Sequence, residues 1–347
     1  MRVRVVACAP CLAADGLPID LGAARLITLD FDAWMDLEGQ SRSGAYDKLR
    51  RRYEVEPPVF WEGWIEADAA LVAPLNGASA GALHPLVAPQ IEAFVRALHW
   101  YSGTPPKLPR DSVIYFDPRG RENEAAMPGI VATIAERGAP RLYGPSDKEY
   151  VRRNDHPTIA LGHADLEAFR AMHDFVLATQ AVWSDEVYEL AAESLTLCAM
   201  EGLDWPSQVL LIVGACEALF SPDVTTELQK TFERRFSALA ARRSDDVADY
   251  AAWLRLGYRL RSDLIHGRSQ EATLKRLPRP PDEYVAILGR MGVAALCRLI
   301  GYRHAAPPAE PASDPLWPRI DGAAPDAAAV AAWPDVNPTP RHQWEPA

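Results

Sequence analysis

Five cysteines among 347 residues are too few, and too unevenly placed, for a disulfide framework. Cys8 and Cys11 stand close together, Cys198, Cys216 and Cys297 are scattered, and the odd total fits a reducing compartment. Long apolar runs are missing too. The longest, Val209 to Cys216, falls far short of the roughly 20 residues that cross a bilayer. In the opening MRVRVVACAPCLAADG, Val5-Val6-Ala7-Cys8 imitates a lipoprotein cleavage site, but too few residues precede the cysteine for a basic region plus an apolar core. No membrane association is expected, and the cytoplasm is the default location. Positive charge is not in excess: 36 Lys or Arg against 47 Asp or Glu give a net charge of −11, which excludes indiscriminate coating of nucleic acid. The chain has no Gly-rich phosphate loop, no HExxH, no internal repeat and no second cysteine pair to complete a four-ligand zinc site. Neither metal nor cofactor is expected.

What remains is a globular composition, 48% hydrophobic and 24% charged, long enough for two domains with separate cores. The texture predicts an α+β chain in three parts. Residues 1–155 mix β-like runs (RVRVVA, RLITLDF, SVIYF) with turns such as Asp117-Pro118-Arg119-Gly120, and one helix is expected from Pro89 to Tyr101. Residues 160–304 read as an all-α bundle, with helices expected at about 163–181, 184–201, 205–220, 224–242, 244–266 and 282–302. Ser184 and Ser244 stand before acidic first turns, Pro206 sits at a first helical position and Asp282 follows Pro281. From Ala305 onward 10 of 43 residues are proline, which predicts a disordered or loosely docked tail whose Trp317, Trp333 and Trp344 are candidate anchors.

The run YRLRSDLIHG, at the end of the helix expected over 244–266, carries the chemistry. At about 100° per residue, Val247, Tyr250, Leu254, Tyr258 and Ile265 share one stripe and Arg261 lies within it; Trp253, Leu256, Leu260 and Leu264 adjoin. A guanidinium aimed at packed surface needs a carboxylate, a phosphate or an interface, and Glu217 in GACEALF is one candidate partner. His266 projects about 140° away, among Ser262, Asp263, Arg255 and Arg259. Asp263, three residues earlier, is placed to receive an imidazole N–H and fix a tautomer. Gly267 supplies the left-handed residue that ends the helix. Without further context, a histidine at a helix C-terminus and a snorkelling arginine explain the same residues.

The run LGYRLRSDLIHG resembles the signature of the ApeA-like branch of the HEPN superfamily. LLIVGACEALF and LQKTFERRFSALA resemble the helices before that signature, with Glu217 and Arg235 at structural positions beside Tyr258 and Gly267; the likeness spans about 185–300. It implies an all-α HEPN bundle and a homodimer, with Arg261 and His266 as catalytic residues and Ser262 and Asp263 as the polar pair beside them. Many such proteins are metal-independent endoribonucleases of toxin–antitoxin or phage-defence systems, so RNA and an antitoxin or trigger protein are the implied partners. Others are inactive dimerisation or RNA-binding modules.

The chemistry agrees with the residue types. Metal-independent RNA cleavage needs a base near the 2′-hydroxyl and a cation on the phosphate, for which imidazole and guanidinium are suited. Between Val224 and Arg279 there are 12 Lys or Arg against 7 Asp or Glu, and Arg242-Arg243, Arg255, Arg259, Arg268, Lys275-Arg276 and Arg279 are candidates to track an RNA backbone. A solvated helix face explains these charges equally well. Cys8-Ala9-Pro10-Cys11 as a redox pair, Asp30-Phe31-Asp32 as a phosphatase nucleophile and a ligand pocket of Trp61, Trp64, Trp100 and Tyr101 are weaker candidates. Two alternatives stay open: a bundle that only dimerises or holds RNA, and an enzyme whose chemistry lies in residues 1–155.

Overall fold

Period-two apolar runs near the N-terminus pair into a sheet, and period-3.6 runs beyond residue 160 pack as helices, so the chain is α+β in the computed structural model. The structure describes residues 2–9, 12–22, 24–28, 59–66, 77–103, 113–116, 129–132, 159–199, 203–222, 226–241, 247–305 and 316–322. The chain divides into two compact units, one of Met1–Leu98 with Pro106–Asp174, the other of His99–Pro105 with Phe175–Ala347. The expected boundary near residue 155 lies outside the described residues, as do Asp117–Gly120, Asp30–Asp32 and Cys11.

In the first unit, strands β1 (Arg2–Ala9), β3 (Ile19–Asp20), β4 (Ala24–Thr28), β5 (Val59–Glu66), β6 (Val113–Phe116) and β7 (Gly129–Ala132) form one sheet in the order β3-β4-β5-β1-β6-β7. Every neighbouring pair in it is antiparallel, with Val5 opposite Gly63 and Val5 opposite Tyr115 across β1. β2 (Leu12–Ala14) pairs in parallel with β8 (Ile159–Leu161). The buried carboxylate of Glu62 meets Arg25 directly across β4 and β5, which supplies the countercharge it needs. Helix α1 (Gly77–Ser102) and helix α2 (Leu166–Ala178) add Phe94 and Phe169 to the core, with Trp61–Phe94 and Phe94–Phe169 ring centroids each 6.4 Å apart. Trp61 is buried in this unit, and Trp100 and Tyr101, which fall in the other, are buried as well.

The second unit is helical: α3 (Gln180–Trp183), α4 (Glu186–Cys198), α5 (Trp205–Phe220), α6 (Leu228–Ala240), α7 (Val247–Ile265), α8 (Glu271–Leu274), α9 (Pro281–Ala305) and α10 (Leu316–Gly322). Five of these, α4, α5, α6, α7 and α9, pack against one another as a bundle. The helix expected over 163–181 is broken: a 3-10 turn at His163–Asp165 precedes α2, and Thr179 separates α2 from α3. Ser184 ends α3 instead of opening α4, whose cap is Asp185, accepting the Val187 N–H. Asp204 caps α5 by accepting the Ser207 N–H, with Pro206 in the first turn where no N–H is needed. Ser244 lies outside the described residues.

Rings join the bundle's layers. Phe220 of α5, Phe232 and Phe236 of α6 and Tyr258 of α7 form a chain with centroids 5.2, 5.4 and 5.7 Å apart. Trp253 stacks on Tyr284 at 5.0 Å, and the Tyr284 hydroxyl donates to the Trp253 carbonyl. α9 is long and apolar enough to cross a membrane by length and composition, but 72% of its apolar window is buried inside the fold, where it packs against α4, α5 and α6.

Within the tail one segment docks on the chain's own body, as a helix that the prolines did not suggest. Residues 316–322 form α10, with Leu316, Trp317 and Ile320 buried, so Trp317 is an anchor on the chain's own body. Trp333 and Trp344 lie outside the described residues.

Close helix contact is enforced at Gly292 of α9, where an added Cβ would stand 2.7 Å from Leu195 Cδ2 and 3.3 Å from Cys216 Sγ. Gly292→Ala is expected to lower unfolding free energy by about 1–3 kcal/mol in urea titration, through overpacking.

Candidate functional site

The site lies where the last turn of α7 faces the last turn of α5. Arg261 does project into the apolar seam, and Glu217 is its partner: Arg261 Nη2 stands 2.7 Å from Glu217 Oε2. About a quarter of the Arg261 side chain stays exposed. The Tyr258 hydroxyl donates to Glu217 Oε1 at 3.4 Å, and the guanidinium lies 5.8 Å from the centre of the Tyr258 ring. Burial, followed by the Glu217 charge, pushes the Tyr258 hydroxyl up, which keeps it a protonated donor. One carboxylate thus serves both a cation and a phenol.

The end of α7 is set by its backbone. His266 N–H donates to the Ser262 carbonyl, Gly267 N–H to Leu264 and Arg268 N–H to Asp263, with Gly267 at φ +63°. These are the paired bonds of a Schellman turn, and they satisfy carbonyls that would otherwise be orphaned. A glycine is required by the left-handed φ, since nothing lies within 4 Å of its missing Cβ. The turn leaves His266 exposed at the surface, while Ile265 beside it is 55% exposed despite its place in the apolar stripe.

The expected Asp263–His266 pair is not formed. Asp263 Oδ2 accepts from the Thr273 hydroxyl at 3.1 Å instead. The reason is α8, a single turn not anticipated from the sequence, which carries a buried Thr273 to the carboxylate. Nor does any hydrogen bond or ion pair among the described residues join Arg261 to His266. Ser262 contributes its carbonyl to the helix end rather than a bond to the imidazole.

The basic residues divide by surroundings. Arg259, Arg268 and Arg276 are exposed, and Lys275 is exposed with an ion pair to Glu271. Arg255 Nε donates to Glu233 Oε2 at 3.1 Å, yet its side chain is 60% exposed. Glu233 is buried, and the Gln229 amide holds its other oxygen. Arg242 and Arg243 lie outside the described residues.

Arg235 is the most enclosed cation of the group. Its side chain is 4% exposed, Nη1 donates to the Phe220 carbonyl, and Nε and Nη2 reach Asp321 of α10. Arg234 Nε and Nη2 donate to the same carboxylate at 3.0 and 2.8 Å. Burial would raise the Asp321 pKa, but hydrogen bonds from Arg235 and Arg234 and their charges outweigh it and hold the carboxyl below the usual aspartate range. The Arg235 position in a stripe with Thr231, Phe232 and Leu239 signals that a partner is needed. No periodicity names that partner, because Asp321 stands 86 residues further on.

Asp321 carries a pH dependence of definite sign. Its folded pKa is depressed, so its contribution is complete above the unfolded value and is lost as pH falls through the folded one. Asp321→Asn is therefore expected to lower the melting temperature near neutral pH by several degrees, with the two chains converging as pH falls through the depressed folded pKa. A difference independent of pH would show that the carboxylate's charge is immaterial.

Against known proteins, no family model, no curated protein and no solved structure matches this chain.

Proposed function

We propose that the chain is an ApeA-like HEPN protein, a cytoplasmic homodimer that acts as a metal-independent endoribonuclease in a defence or toxin-type system. The observation that carries this reading is Arg261. It is held at fixed orientation in the bundle seam by Glu217 and Tyr258, with part of its side chain exposed one and a half turns before an exposed His266. Such a cation is preorganised for phosphoryl oxygen, and an imidazole with no side-chain partner among the described residues is suited to proton transfer.

In this mechanism His266 takes the 2′-hydroxyl proton as the 2′-oxygen attacks phosphorus. Arg261 stabilises the charge that builds on the non-bridging oxygens. The P–O5′ bond breaks, the leaving 5′-oxygen takes a proton from water, His266 returns its proton to solvent, and the products are a 2′,3′-cyclic phosphate and a 5′-hydroxyl. Because the two side chains diverge on one helix, the active cleft is composite, with Arg261 of one protomer and His266 of its partner on one phosphate. Exposed Arg255, Arg259, Arg268 and Arg276 supply positive surface near the same helix end.

The Arg261–Glu217 ion pair also favours a second reading, in which the cation is already neutralised and the bundle dimerises or holds RNA without cutting it. Cleavage of RNA in the presence of EDTA separates the two. The wild-type chain is expected to release cyclic-phosphate ends, and His266→Ala to be slower by about 10²–10⁴-fold. Equal rates in the two chains contradict the catalytic assignment.

A further inference from the structure

Two guanidinium groups share one carboxylate. Arg234 and Arg235 both grip Asp321, and each places two of its nitrogens on that carboxylate. The flat face of Arg235 is covered as well: the Trp317 ring lies 4.5 Å from its guanidinium carbon and 6.0 Å from that of Arg303. The carboxylate and the indole both come from α10, a seven-residue helix. A helix that short does not hold itself together, so its order depends on the surface it docks upon.

An anion gripped by an arginine fork and a flat ring stacked on the same guanidinium are the two features by which proteins hold a nucleotide of single-stranded RNA. A phosphodiester has the charge of a carboxylate, and a base has the π-face of an indole. The location also fits. Arg235 Nη1 donates to the carbonyl of Phe220, on the same last turn of α5 that presents Glu217 to Arg261.

We propose that Arg234 and Arg235 form a nucleotide site for single-stranded RNA, and that residues 316–322 fill it in the resting chain as an internal mimic, Asp321 in place of phosphate and Trp317 in place of base. The proposal rests on RNA being the bundle's ligand, but not on cleavage. RNA entry then requires α10 to leave, and the tail lowers RNA affinity by the fraction of chains in which it is docked. The lowered pKa of Asp321, where burial is outweighed by hydrogen bonds from Arg235 and Arg234 that favour the ionised carboxylate, supports the fit of an anion at this fork.

The test uses full-length His266→Ala chain, so that RNA stays intact, with an oligouridylate of roughly ten nucleotides as probe. Hydrogen exchange at the amides of 316–322 is expected to rise about tenfold or more when RNA binds, because the docked helix is displaced. Adding Trp317→Ala and Asp321→Ala is expected to tighten RNA binding about tenfold, and Arg234→Ala, at a partly exposed position, to remove that gain. RNA binding that leaves exchange at 316–322 unchanged, or tail substitutions that lower melting temperature without tightening RNA, makes α10 a structural staple and ends the proposal while the RNA reading stands. Absence of RNA binding in every chain ends both. If inorganic phosphate alone displaces the tail as well as RNA does, the site recognises an anion without a base and the nucleotide assignment fails.

Discussion

A guanidinium in a hydrophobic seam is tolerable only if something beside it carries the opposite charge, and this requirement organises the bundle. Arg261 and Arg235 enter packed or half-packed surface and meet Glu217 and Asp321, while exposed Arg255 supplies the countercharge to buried Glu233. Breaking one such pair by removing a partner strands a charge, whereas keeping it intact fixes which helix faces which. The last turn of α5 is shared ground, since Glu217 holds Arg261 and the Phe220 carbonyl holds Arg235. A helix C-terminus favours cations in any case, and here two arginines arrive from different helices.

The same requirement sets what the site can do. Arg261 is oriented before any ligand arrives, which removes the reorganisation that a free surface arginine would undergo. His266 has the opposite character: the Schellman turn at Gly267 carries it to the surface, and its imidazole keeps no side-chain partner among the described residues. Division of labour between a fixed cation and a free imidazole suits phosphodiester chemistry. On the proposed reading, side chains that diverge on a single helix would meet on one phosphate through a second copy of the chain.

Much of this was legible in the sequence. The apolar period placed the bundle helices to within a few residues, Gly267 announced the end of α7, and Arg261 in an apolar stripe called for a carboxylate that Glu217 supplies. The departures have physical causes. The periodic run breaks at Thr179, which has non-helical backbone angles and whose hydroxyl donates to the Phe175 carbonyl. Asp263 was assigned to His266 by spacing, but a threonine from a one-turn helix competes for it and wins. α10 was hidden by prolines that suggest an unfolded tail. Its order comes from burying Leu316, Trp317 and Ile320 and from Asp321, contacts between distant parts of the chain that local pattern does not encode.

The composite cleft is tested most directly by subunit complementation. Arg261→Ala and His266→Ala chains, co-expressed with different tags and purified through both, form mixed dimers in which one cleft retains both groups. Cyclic-phosphate-forming RNase activity in EDTA is expected to return in the mixed dimer while each parent alone stays inactive. Mixed dimers as inactive as their parents would contradict a site assembled from two protomers.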